Sequence, residues 1–157
     1  MGVLHESDSN RYPPDGCERF GKPCCLIPRE LSIEYAALES GLQRFVQLEK
    51  DDFIGKDALV AWQKRGFKWQ FVTLEVHGVS HSDARGSEPI YKDGELVGRC
   101  TSGGYGWRVQ KSLALGMVSP ELAAEGSELE VQILGELYKA TVIAESPYDP
   151  ENSALRG

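Results

Sequence analysis

Between residues 94 and 118 the chain reads GELVGRCTSGGYGWRVQKSLALGMV, and most of its conceivable chemistry is gathered there. Gly103, Gly104 and Gly106 offer backbone N–H groups with no side chain in the way, the raw material of an anion cradle. A phosphate loop, however, closes on Lys-Ser/Thr and opens a helix. Here Tyr105, Gly106 and Trp107 follow, and no helical pattern does. Glycines in a β context mark bulges or barrel corners where two backbones come close, and the sequence favours that reading. Tyr105 and Trp107 share a face if a strand continues through them. They would then stack on a flat ligand, meet a neighbouring domain, or fill a barrel. Arg99, Arg108 and Lys111 have the chemistry to meet a carboxylate, such as a polyglutamate tail, set against ordinary solvated surface charge.

Other reactive residue types are less well placed. His77 and His81 stand four apart with Asp83 nearby, a spacing that suits a helical metal site, yet the stretch reads as strand end and loop and a third ligand is missing. Ser102 lacks the G-x-S-x-G surroundings of a nucleophile elbow. Cys17, Cys24, Cys25 and Cys100 are not spaced as paired zinc ligands and read as free thiols in a reducing compartment. Glu39 and Asp57 read as structural, Asp57 through the dipole of a helical first turn. No catalytic residue and no metal site is assigned.

The elements that must position these residues follow from composition and period. At 157 residues, 41% hydrophobic and 26% charged, the chain has the size and balance of one globular domain. Its net charge of −7, without a basic stripe, argues against a nucleic-acid partner. No apolar run approaches the roughly 20 residues that span a bilayer, and the start has no secretory pattern, so the expected location is the cytoplasm with no membrane partner. Residues 1–30 hold Pro13, Pro14, Pro23 and Pro28 with Gly16 and Gly21, and read as an irregular, extended arm. Residues 31–68 read as a connecting segment with a helix over about 55–65, closed by Gly66. From residue 69 the period becomes two: a half-buried strand over 69–76, a hairpin turning at Asp93-Gly94, a strand over 112–118, and a second hairpin turning near Gly135-Glu136. Strands at this spacing predict a mainly β chain: a small antiparallel β-barrel over 69–157 with one short N-terminal helix and an extended N-terminal arm.

Three stretches carry a resemblance to a known family: ALESGLQRFVQLEKDDFIGKDAL, PIYKDGELVGRCTSGGYGWRVQKSLALGMV and GSELEVQILGELYKATVIAESPYDPENSALR. In this order and spacing they resemble the C-terminal part of the glycine-cleavage T-protein (aminomethyltransferase) family. They are most like the form fused behind the flavin domain of dimethylglycine and sarcosine dehydrogenases. The resemblance covers roughly residues 31 to 156, and three blocks at family spacing are more specific than any lone glycine motif.

The resemblance implies a small antiparallel barrel, one-carbon transfer onto tetrahydrofolate, and a partner: an upstream folate-binding or flavin domain or subunit that supplies the acid/base carboxylate and the pterin clamp. Arg44, Tyr105, Trp107 and Arg108 are the candidate cofactor-binding residues of this chain, the last three from their own chemistry and Arg44 from its place in the family-like run. Arg44 departs from the family pattern, which has an aromatic at that place after LESGL. The motif LRLEKGYRxWG of the family finds only RYPPDGCERFG here, and KPCCLIPR is inserted after it. Two functional expectations follow. The chain is the barrel domain of a folate-dependent one-carbon transferase or demethylating dehydrogenase, incomplete alone; or it is a stand-alone, non-catalytic interaction module derived from that barrel. A Met start followed by divergence before residue 31 accommodates either a truncated frame or an independent descendant.

Overall fold

The computed structural model describes residues 33–79, 81–151 and 153–156. The expected arm over residues 1–30, with Cys17, Cys24 and Cys25, lies outside them. Among the described residues six strands follow one ten-residue helix, α1 (Lys56–Arg65). The strands are β1 (Gln70–Val76), β2 (Pro89–Lys92), β3 (Glu95–Gly106), β4 (Lys111–Val118), β5 (Glu128–Ile133) and β6 (Glu136–Ile143). They pair antiparallel in the order β1-β4-β3-β2-β5-β6, and β6 closes back on β1 through Thr73↔Ile143 to Val76↔Ala140. A four-residue helical turn, α2 (Ser153–Arg156), ends the described chain, and the Asp149 carboxylate caps it by accepting the Ser153 N–H at 2.7 Å. The sequence pattern had not indicated α2.

Local chemistry explains the turns. Asp93 and Gly94 both take positive φ (52° and 83°), as a tight two-residue hairpin requires. The second hairpin turns on Leu134 and Gly135, also at positive φ, one residue earlier than expected. Asp57 sits in the first turn of α1 and Lys64 and Arg65 in the last, each complementing the helix dipole. Gly66 closes the helix at φ 86°.

The barrel interior is filled from every strand, with Leu74, Ile90, Val118 and Val131 fully buried. Burial of such a side chain stabilises by about 1.5–3 kcal/mol. A second apolar layer lies outside the wall: Tyr35, Phe71, Leu115 and Met117, with Trp69 against them. For this reason β1 is not half-buried as its alternation suggested. Phe71 and Thr73 on one face and Val72 and Leu74 on the other are all buried, because the segment around Tyr35 covers the outer side.

One residue fixes that cover. Glu39 is 1% exposed. Its Oε2 accepts the Ala36 N–H at 2.9 Å, while Oε1 accepts the N–H groups of Lys68 at 2.9 Å and Trp69 at 3.3 Å. Its own carbonyl accepts the Phe71 N–H at 2.8 Å. A glutamine here turns its amide toward an N–H whichever way it is set, and a buried unsatisfied donor costs about 1–3 kcal/mol. Glu39→Gln is therefore expected to lower stability by that amount, read as a shift of the urea midpoint at unchanged slope.

Candidate functional site

The Gly-rich run is strand, not turn. β3 continues through Thr101, Ser102, Gly103 and Gly104 to Gly106, and the chain reverses only over residues 107–110. The register explains how. Cys100 pairs with Gly116 but Ser102 with Leu115, so Thr101 is an extra residue, a bulge, and its hydroxyl donates to the Leu115 carbonyl at 3.1 Å. A matching irregularity lets β2 pair Ile90 with Gly98 and Tyr91 with Leu96 across Val97. Bulges sharpen twist and bend a strand, which closes a small barrel.

The glycines serve close approach. Neither Gly103 nor Gly104 takes a positive φ, so no turn conformation demands them. A Cβ on Gly103 would lie 2.6 Å from the Ala84 carbonyl oxygen and 2.9 Å from that of Leu113. Gly103 is thus the seat on which the loop around Ala84 rests. Asp83 holds the same loop: its carboxylate accepts the Ser112 hydroxyl at 2.9 Å and the Tyr105 N–H at 3.1 Å. Gly103, Gly104 and Gly106 are thus strand residues paired with β4, and Asp83 already occupies the Tyr105 N–H among them, so the run is not laid out as an anion cradle.

This scaffolding presents a pair of aromatic rings at the tip of β3 and β4. Tyr105 is 38% and Trp107 68% exposed, with ring centroids 4.9 Å apart in an edge-to-face arrangement at 77°. Next to them Arg108 donates to the Tyr148 hydroxyl at 2.6 Å and lies 5.1 Å from the centre of that ring. Tyr148, which sequence reasoning passed over, thus orients the guanidinium of Arg108. The three expected cofactor-binding residues of this stretch, Tyr105, Trp107 and Arg108, are brought together on one hairpin.

Arg44 is not with them. It lies in the 3₁₀ turn Gln43–Phe45, its guanidinium 4.9 Å from the centre of the exposed Phe45 ring. Gln43 lines a cavity of about 190 Å³ with Gln70 and Phe71, at the start of β1. Tyr105 pairs with Ser112, which pairs with Val76 at the end of β1. The length of that strand, roughly 20 Å at ~3.3 Å per residue, separates the two positions.

The remaining candidates have structural partners. Arg99 donates to the Tyr35 hydroxyl and to Glu34 at 2.6 Å. Its pKa is raised, first by the hydrogen bond to Tyr35 and then by that to Glu34. Lys111 donates to Glu75 at 2.7 Å. His77 Nε2 lies 2.9 Å from the Thr141 hydroxyl, and among the described residues no three His, Cys, Asp or Glu side chains are grouped to hold a metal. No helix among them is long and apolar enough to cross a membrane. Cys100 is a free thiol facing the interior. Burial pushes its pKa up, and the charge of Glu88 adds to the shift.

Known proteins similar to this chain point to one family. The family profile of the glycine cleavage T-protein C-terminal barrel domain matches residues 70–149. The chain is 40% identical over 125 residues to an aminomethyltransferase of Desulfitobacterium hafniense (strain DSM 10664 / DCB-2), covering 80% of this chain and 34% of that protein. It is 40% identical over 154 residues to the mitochondrial dimethylglycine dehydrogenase of Homo sapiens, covering 91% of this chain and 18% of that one. The crystal structure of glycine cleavage system aminomethyltransferase T from Bartonella henselae superposes with a TM-score of 0.73 at 22% identity, covering 84% of this chain and 38% of the other. The chain thus spans about a third of the aminomethyltransferase it matches and under a fifth of the dehydrogenase.

Gly103→Ala forces a methyl group against two backbone oxygens, and overpacking of this kind costs typically 1–3 kcal/mol. Its urea midpoint is expected to fall accordingly, whereas a change confined to ligand affinity would contradict the packing role. Cys100 is expected to resist alkylation at about pH 8 in the native protein and to react once unfolded, because the thiolate is the attacking form. Peptide mapping checks this. The sign for stability follows: with the folded pKa above the unfolded one, this thiol contributes its full stability at neutral pH and loses it as pH rises past the ordinary thiol range.

Proposed function

We propose, since this chain belongs to the family of glycine cleavage T-protein C-terminal barrel domains, that it is the barrel domain of a folate-dependent one-carbon (aminomethyl or methyl) transferase or demethylating dehydrogenase. In this reading it is catalytically incomplete by itself and works against an upstream folate-binding or flavin domain or subunit. The observation that carries the reading is the exposed Tyr105–Trp107 pair with Arg108 beside it, held out on a hairpin whose root is packed and tied. Two aromatic faces and one oriented guanidinium suit a flat ring system that ends in a carboxylate.

Tetrahydrofolate fits that description. Trp107, braced edge-to-face by Tyr105, would stack on its ring portion and Arg108 would meet its glutamate carboxylate, while the folate itself supplies the nitrogen that accepts the one-carbon unit. Arg44, at the start of β1, would take a separate contact near the junction with the upstream domain. What this chain contributes is binding and orientation: the β3–β4 root fixes the rings, and fixing a reactant in place is worth orders of magnitude in rate. The carboxylate that moves protons belongs, in this reading, to the upstream part. The same reading puts the protein in the cytoplasm, a reducing compartment in keeping with the free thiol of Cys100.

Calorimetric titration of the full chain with 5-formyltetrahydrofolate is the test. Saturable binding is expected, no tighter than roughly micromolar, since part of the site lies elsewhere. Trp107→Ala should weaken it about tenfold or more, a stacking contact of ~1–3 kcal/mol by analogy with base–aromatic pairs, with the unfolding midpoint unchanged. Absence of heat from the full chain would favour the non-catalytic interaction module. One-carbon transfer by the pure chain alone would refute the incompleteness.

A further inference from the structure

A second concave surface lies away from the Tyr105–Trp107 hairpin and belongs to neither end of the cofactor reading. It is an open groove of about 840 Å³ between the end of α1, the start of β1 and the first half of β3. Its walls are aromatic, and each aromatic carries a cation. The guanidinium of Arg65 lies 4.8 Å from the centre of Trp62, the ammonium of Lys68 5.4 Å from Trp69, and the guanidinium of Arg99 5.6 Å from Tyr35. Leu96, 67% exposed, adds an apolar patch to the same lining.

The charges there are unevenly matched. Arg99 is neutralised by Glu34. The other carboxylate in the lining, Glu39, is buried beneath and turns both oxygens to backbone N–H groups. Arg65 and Lys68 form no ion pair among the described residues. Two cations without an ion-pair partner among the described residues, on a chain of net charge −7, are a local exception to the field of the whole protein. α1 adds a second sign of an uncovered face: none of its ten residues is buried, and Leu59, Val60 and Trp62 are only half covered.

We propose that this groove docks an acidic peptide segment of a protein partner, one that alternates carboxylates with apolar or aromatic side chains. The apolar side chains would lie on Trp62, Trp69 and Leu96, and the carboxylates would pair with Arg65 and Lys68. Charge complementarity selects this occupant. A basic segment would be repelled by Arg65 and Lys68, and a neutral apolar one would leave both cations facing apolar surface. The groove is partly open to solvent, and its aromatic walls with arginine are the residue types that carry binding energy at protein interfaces.

The test uses the full chain and a short fluorescein-labelled peptide alternating Glu with Leu and Phe, with a matched peptide carrying Lys in place of Glu. Anisotropy should show saturable binding of the acidic peptide, at least about tenfold tighter than of the basic one, and weaker at high salt as exposed charges are screened. The double variant Arg65→Gln with Lys68→Gln should remove most of that preference. These side chains are exposed, so its unfolding midpoint should stay unchanged; Arg108→Gln, on the other hairpin, should leave peptide binding intact. Equal binding of both peptides, indifference to the double variant, or no binding by the full chain would overturn the proposal. So would a concentration-dependent dimer that the double variant abolishes, which would assign the groove to a second copy of the chain.

Discussion

A buried carboxylate with no ion-pair partner among the described residues organises this domain. Glu39 is held by three backbone N–H groups, one from Ala36 and two from Lys68 and Trp69 further along the chain. Hydrogen bonds to an ionised acceptor are among the stronger ones, and a carboxylate held this way must keep all of them or bear the cost of burial. Its position therefore decides where the segment around Tyr35 lies: along the outer wall of β1 and β4, over Phe71, Leu115 and Met117. Three properties follow from that one placement. β1 and β4 become strands buried on both faces, Tyr35 comes within reach of Arg99, and Trp69 is set at the rim of the groove.

Inside the wall a different constraint rules, the narrowness of a six-stranded closed barrel. Gly98, Gly103 and Gly116 stand where a methyl group would meet backbone or a neighbouring side chain within 3 Å. The loop from Asp83 uses the room that Gly103 leaves, and Asp83 in turn ties the root of the β3–β4 hairpin. The exposed aromatic pair at the tip is thus built on a crowded part of the interior. Rigid support of that kind is what a binding face requires if its rings are to meet a ligand without first being ordered.

Much of this was written in local patterns. The Asp93-Gly94 turn, the alternation in β5 and β6, and the glycine that stops α1 each follow from the backbone needs of a few neighbouring residues. So does the general reading of the Gly-rich run as architecture. What remained hidden depends on residues far apart in the chain. The outer burial of β1 comes from a segment thirty residues earlier, so its alternation misreports its surroundings. Thr101 becomes a bulge only because β4 runs opposite, and nothing in TSGG itself says that the strand goes on. Tyr148 comes to Arg108 from forty residues away. Arg44 follows the family-like LESGL run but does not share a location with Tyr105, and linear order could not reveal the length of β1 between them. The groove had a faint local trace in the Trp62–Arg65 spacing of one helical turn and in the Lys68–Trp69 pair.

α1 is capped and charged like an ordinary helix, yet it buries none of its side chains. The folding free energy of the domain consequently resides in the barrel and its outer cover, and α1 draws little from it. Substitutions on that helix change what the surface recognises while leaving the scaffold beneath almost untouched. Evolution can therefore retune the partner of this domain at α1 on its own schedule, whereas the glycines and Glu39 are bound to the fold.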